Sequence, residues 1–226
     1  MRTHKIEELI TLEKCRQEES DWILNNIKLL EKLKKYGEVR VTGAKELGLM
    51  VAKDIDISVV VDKISYKDWQ ELVKELMITP NIRKITAIDY YNYDEQNKYD
   101  PDNGMKYSLY ISLDTLIGRN GNKFDTWECQ IHLIEKDKFE SEKIPIIKSK
   151  LTKENRVLLL QLKYWANEVN KDMSPLTKGH FKIQSVWIYD AVLNKGVGTI
   201  EDLVETIKTY VPLDYREIYS KSVATV

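Results

Sequence analysis

Asp54 and Asp56, separated by Ile55, head an apolar run from Ile57 to Val61 that only Ser58 interrupts. A β-strand turns successive side chains to opposite faces, so the two carboxylates point one way while Ile55 and Ile57 point into a core. Spaced about 7 Å apart along the strand, they can share a pair of divalent cations. Upstream, a short apolar strand from Val39 to Val41 runs into Gly43 and Ala44, and nine residues separate Ala44 from Asp54. Glycine frees the backbone to turn tightly, which lets a phosphate approach the amides that follow. These parts suit metal-assisted nucleotidyl transfer.

Two cations carry more positive charge than two carboxylates neutralise, so a third acid is expected on a later strand. The run from Trp127 to Glu135 alternates: Trp127, Cys129, Ile131 and Leu133 on one face, Glu128, Gln130 and His132 on the other. Glu128 is the first choice. Gln130 is the alternative occupant of the catalytic register, in which case the third acid is lost; Asp114, ending the previous strand, is a lesser candidate.

The stretch 41–61 resembles the signature of the polymerase-beta-like nucleotidyltransferase superfamily. Gly43, the nine-residue spacer and the Asp54-Ile55-Asp56 triplet carry the likeness, with faint support from Trp127-Glu128-Cys129, an acid between two apolar residues. Ala44 departs from the pattern, standing where the family has a Gly or Ser that meets the triphosphate; a hydroxyl contact is lost but no backbone amide. The resemblance implies a catalytic set of Asp54, Asp56 and Glu128 holding two Mg2+ ions, and a nucleoside triphosphate, ATP first, as co-substrate seated at Gly43 and Ala44. Lys178, His180 and Lys182 flank Gly179 at the mouth of a helix; they form either a triphosphate contact, as a lysine often does in the family, or a solvated loop.

The fold class expected is α/β (α+β), a mixed-sheet core followed by a C-terminal helical module, with domains over 1–140 and 150–226. A helix in two pieces over 5–35 carries Trp22, Ile23, Ile27, Leu30 and Leu33 in its second piece and delivers the chain to the first strand. Ser65 with Asp68 starts another helix, along which Trp69, Leu72, Val73, Leu76 and Met77 make an apolar stripe. Strand-like runs follow over 82–91, 106–114 and 126–135. The tyrosine-rich segment 90–99 reads as a lid over a ring-shaped ligand or as a hairpin tip. The charged stretch 136–150 reads as a linker. Beyond it Thr152 caps a helix with Leu158, Leu162, Trp165 and Val169 on one side, 174–179 is a loop, 181–194 is a helix with Ile183, Val186 and Trp187 inward, and Thr199 with Asp202 caps a third.

Lys plus Arg number 35 and Asp plus Glu 36, for a net charge of −1. That balance speaks against coating nucleic acid, and a small-molecule acceptor is the first expectation; nucleic acid is not favoured. Two distant cysteines and a charged N-terminus point to a reducing cytoplasm, and no apolar stretch is long enough to span a membrane. Two alternatives remain: a member of the fold that has lost catalysis and binds or regulates a partner, and an enzyme that modifies transfer RNA or protein, as in a toxin–antitoxin pair.

Overall fold

The computed structural model describes residues 6–91, 108–117, 125–140, 142–177 and 181–225. The chain divides into two compact units. One comprises residues 16–48 and 53–144; the other comprises 1–15, 49–52 and 145–226.

The first unit is built on five strands: β1 (Glu38–Thr42), β2 (Asp54–Val61), β3 (Ile82–Asp89), β4 (Ser108–Ile117) and β5 (Asp125–Glu135). They form one sheet in the order β1-β2-β5-β4-β3. Only β2 and β5 run parallel; the other pairs are antiparallel. The mixed sheet expected from the sequence is therefore present. Alternation sorts its residues as the pattern predicts: Ile55, Ile57, Val59, Leu109, Ile111, Leu113, Cys129 and Ile131 are all fully buried. All of these have odd numbers, and the even-numbered residues take the opposite face.

Helices complete this core. The long α1 (Ile6–Asn26) begins in the other unit and ends in this one. It breaks at Lys28, whose φ of 51° is left-handed, and α2 (Leu29–Leu33) follows. The break re-phases the expected stripe: Ile23, Ile27, Leu29 and Leu33 are buried, while Trp22 is exposed. The five-residue α3 (Gly43–Leu47) joins β1 to the segment before β2. In α4 (Tyr66–Met77) the Ser65 hydroxyl accepts from the Asp68 amide, as a capping residue should. Leu72 and Leu76 are fully buried, each contributing on the order of 2 kcal/mol; Met77, one step off the stripe, is exposed. Glu75 ties α4 to α2 and the turn after it, with Lys32 Nζ at 3.5 Å, Lys35 donating at 2.8 Å and the Tyr36 hydroxyl at 3.4 Å. The Lys35 hydrogen bond holds the Glu75 carboxyl below its ordinary range, while burial, then Glu75, raises Tyr36.

The second unit is helical: α5 (Lys143–Lys150), which starts at the boundary, then α6 (Lys153–Thr177), α7 (Ser185–Leu193), α8 (Ile200–Lys208) and α9 (Arg216–Thr225). Three expectations are corrected here. Residues 143–150 of the anticipated linker are helical, Pro145 standing in the first turn where its missing amide costs little. The loop expected from Ser174 is instead the last turn of α6, which continues through Pro175; the Thr177 hydroxyl donates to the Met173 carbonyl at 3.1 Å and secures that turn. Finally, Phe181 to Gln184 are not helical. The Asn170 side chain holds Ile183 from both sides, donating to its carbonyl at 3.0 Å and accepting from its amide at 2.7 Å. That clamp keeps the chain out of helix until Ser185 and turns Val186 to solvent. Thr199 caps α8 through the Asp202 amide, as expected. Among the described residues no helix is long and apolar enough to cross a membrane.

Candidate active site

The even-numbered face of the sheet carries its chemistry in rows, because residues directly opposite in neighbouring strands share a face. One row runs Asp54, Glu128, Asp114, Lys84 across β2, β5, β4 and β3. The next runs Thr42, Asp56, Gln130, Ser112, Thr86 from β1 to β3. The third runs Arg40, Ser58, His132, Tyr110, Ile88. Asp54, Asp56 and Glu128 therefore lie on one face of two adjacent strands, with Glu128 opposite Asp54 and Gln130 opposite Asp56. Both residues weighed for the third position face the same way, and the acid is among them.

Gly43 has a reason beyond a tight turn. Its φ is +62°, and a Cβ added there would lie 1.8 Å from Asp56 Oδ2 and 2.8 Å from its Cγ. The carboxylate occupies the space that any side chain at position 43 would need. Thr42 makes no side-chain cap to α3. Ala44 is buried, so its methyl packs inward.

Glu128 is fixed twice. Its amide donates to the Lys53 carbonyl at 2.9 Å, and the Ser112 hydroxyl donates to its Oε1 at 2.8 Å. Beneath it burial dominates: the Cys129 thiol is pushed up to about 12, first by burial and then by the charges of Glu128 and Asp56. Burial likewise raises Tyr110, with Glu128 next and Asp56 a lesser contributor. His132 is pushed down to about 4 by burial and is neutral at pH 7; its Nδ1 lies 3.2 Å from Ser108 Oγ, and its ring is 5.0 Å from that of Tyr110. His132 is thus a satisfied sheet histidine. Arg40 is accounted for locally, donating to Glu38 Oε1 at 2.8 Å with its guanidinium over the Phe139 ring.

The donor set of Asp54, Asp56 and Glu128 is all carboxylate oxygen, the chemistry that hard Mg2+ prefers. Gly43 leaves Asp56 the room to present that oxygen, so these residues fit the ion. The fit is one of donor chemistry and shared face: among the described residues no group of three His, Cys, Asp or Glu side chains is drawn together closely enough to hold a metal ion.

Lys178 and His180 lie outside the described residues, as do Tyr93 and Tyr99 of the suggested lid. Of that segment, Tyr90 sets its ring 5.6 Å from that of Tyr110. One residue the sequence reading passes over is Lys163 in α6, only 5% exposed, with Nζ 2.8 Å from the Tyr189 hydroxyl. That hydroxyl and the Tyr189 ring, whose centroid lies 5.1 Å from Nζ, are the partners of its buried amino group. The signal was its spacing: Lys163 falls on the same inward side as Leu159, Leu160 and Ala166, where a lysine is out of place.

No family model matches the chain, and no curated protein does. Solved structures do. A mutant of the Cid1 poly(U) polymerase bound to MgATP superposes with a TM-score of 0.56 at 19% identity, covering 84% of this chain and 53% of that one. Cid1 in complex with its short product ApU gives 0.52 at 18%, covering 79% and 48%. A cytoplasmic RNA terminal U-transferase gives 0.52 at 20%, covering 78% and 47%. The chain spans about half the length of these structures. It shares its fold with these structures.

Proposed function

We propose that this protein transfers a nucleoside monophosphate from a nucleoside triphosphate to a terminal hydroxyl of RNA. The observation that carries the reading is the placement of Asp54, Asp56 and Glu128 on one face of adjacent strands, in the fold of the RNA-tailing structures above. Asp54, Asp56 and Glu128 would hold divalent cations. Bound there, Mg2+ supplies charge stabilisation for the phosphoryl transition state and lowers the pKa of the attacking hydroxyl. The hydroxyl gives its proton to water, its oxygen bonds to the α-phosphorus, and the bond from that phosphorus to the bridging oxygen breaks, its electrons leaving on pyrophosphate. Gly43 admits the Asp56 carboxylate, and the backbone after it lies free of any Thr42 cap for phosphate oxygens.

The small-molecule acceptor expected from net charge finds no support in these likenesses, and RNA fits better. A local phosphate-binding surface needs no overall basic excess. The non-enzymatic alternative rests on Ala44 and on the uncertain third acid; Glu128 on the acidic face favours catalysis, and Ala44 keeps its backbone amide. The nucleotide-rich, reducing cytoplasm suits this chemistry and the two free cysteines.

The test is extension of a labelled RNA oligonucleotide with each of the four triphosphates and Mg2+. The expected result is extension of an oligonucleotide ending in a 3′-hydroxyl and none of the same sequence ending in a 3′-deoxy residue. Glu128→Gln is expected to slow extension by more than about 100-fold, beyond what groups outside the ligand set cost at metal sites, with little change in melting temperature. Incorporation into small hydroxylated acceptors but not RNA would return the acceptor to a small molecule; no incorporation into either contradicts the reading.

A further inference from the structure

We infer that Ser112 is a positioning residue, holding Glu128 in place for a divalent cation; this rests on the nucleotidyl-transfer reading above. Glu128 stands between two like charges, directly opposite Asp54 on β2 and Asp114 on β4. Opposed carboxylates repel, and a glutamate has a long, rotatable arm by which to escape. Asp114 has a cation of its own in Lys84, at 3.9 Å. Glu128 has instead the Ser112 hydroxyl, 2.8 Å from Oε1, reaching it on the diagonal from the position opposite Gln130. A hydroxyl bonded to an ionised carboxylate is a short, strong contact. It engages one oxygen and leaves the other for an ion.

A hydroxyl has one proton, and Ser112 gives it to Glu128. Tyr110, two residues earlier on the same face, is almost fully buried. The Tyr110 ring is fixed in turn against His132 and Tyr90. Ser112 therefore stands between the aromatic end of the face and its acidic end.

The experiment measures Mn2+ binding by the full chain, from the free ion remaining in solution, for the wild type, Ser112→Ala, Ser112→Thr and Ser112→Cys. Ser112→Ala is expected to weaken binding about 10–100-fold, as loss of groups that orient metal ligands does, and Ser112→Thr, which keeps the hydroxyl, to restore most of it. Ser112→Cys, with a weak donor, should fall near Ala and provides the reading if Ala fails to fold. In a Glu128→Gln background, Ser112→Ala should cost nothing further, because the effect passes through Glu128. Unchanged binding by Ser112→Ala and Ser112→Cys, or a loss equally large in the Glu128→Gln background, overturns the inference alone. A wild type that binds no Mn2+ overturns the nucleotidyl-transfer reading and this inference with it.

Discussion

Replacing Asp54 or Asp56 with Asn removes Mg2+-dependent nucleotide binding and leaves the melting temperature of the metal-free protein unchanged or raised. The two carboxylates share one face of β2, and Glu128 lies opposite Asp54. Each added negative charge on that face costs a few tenths of a kcal/mol to about 1 kcal/mol when no cation is present. Asn keeps the shape and removes the charge, so the metal-free fold loses a repulsion. The loss on the ligand side is far larger, because a neutral amide is a poor partner for a hard dication. A thermal-shift series with each triphosphate, with and without Mg2+, separates the two effects. Wild type should gain some stability from metal alone and most when metal and nucleotide are both present, and neither variant should respond. Strong destabilisation of both metal-free variants would instead assign these aspartates a structural role.

Gly43→Ala is expected to be nearly as damaging, through geometry. Two costs combine. An L-residue at a φ of +62° is strained by about 1–2 kcal/mol, and the new Cβ would lie 1.8 Å from Asp56 Oδ2. The carboxylate must leave its place, so Mg2+-dependent nucleotide binding and transfer should collapse together. Gly196 supplies an internal control: its φ is +69°, yet nothing lies within 4 Å of the position a Cβ would take. Gly196→Ala therefore incurs strain without the clash. Destabilisation should be similar in kind for the two variants, with transfer lost only at position 43. Equal activity in the two variants would remove Gly43 from the site.

What could be read in advance follows from which periodicities are local. The period-2 pattern of β2 and β5 placed Asp54, Asp56, Glu128 and Gln130 on one face without further help. The same period could not choose between Glu128 and Gln130, because residues two apart look alike until register is known, and register depends on pairing with another strand. Once Glu128 is seen opposite Asp54, the roles of Ser112 and Lys84 become visible, and neither carries a signal of its own. Helix caps were legible at Ser65 and Thr199, where side chain and amide are three residues apart. The end of α6 was not: Pro175 reads as a breaker, and its tolerance in a last turn depends on the packing there. Nor could the sequence show that Asn170 clamps Ile183, a contact across thirteen residues, or that the turn at Lys28 re-phases the stripe from Trp22 to Leu33.

The central claim is that the acidic face of β2 and β5 binds metal and nucleotide together. The most direct measurement is a crystal structure of the wild-type protein grown with Mn2+ and a non-hydrolysable nucleoside triphosphate, with anomalous differences recorded for manganese. The account predicts anomalous density among the carboxylates of Asp54, Asp56 and Glu128, with the triphosphate beside Gly43. Manganese and triphosphate bound together elsewhere on the chain, with those three carboxylates empty, would contradict it.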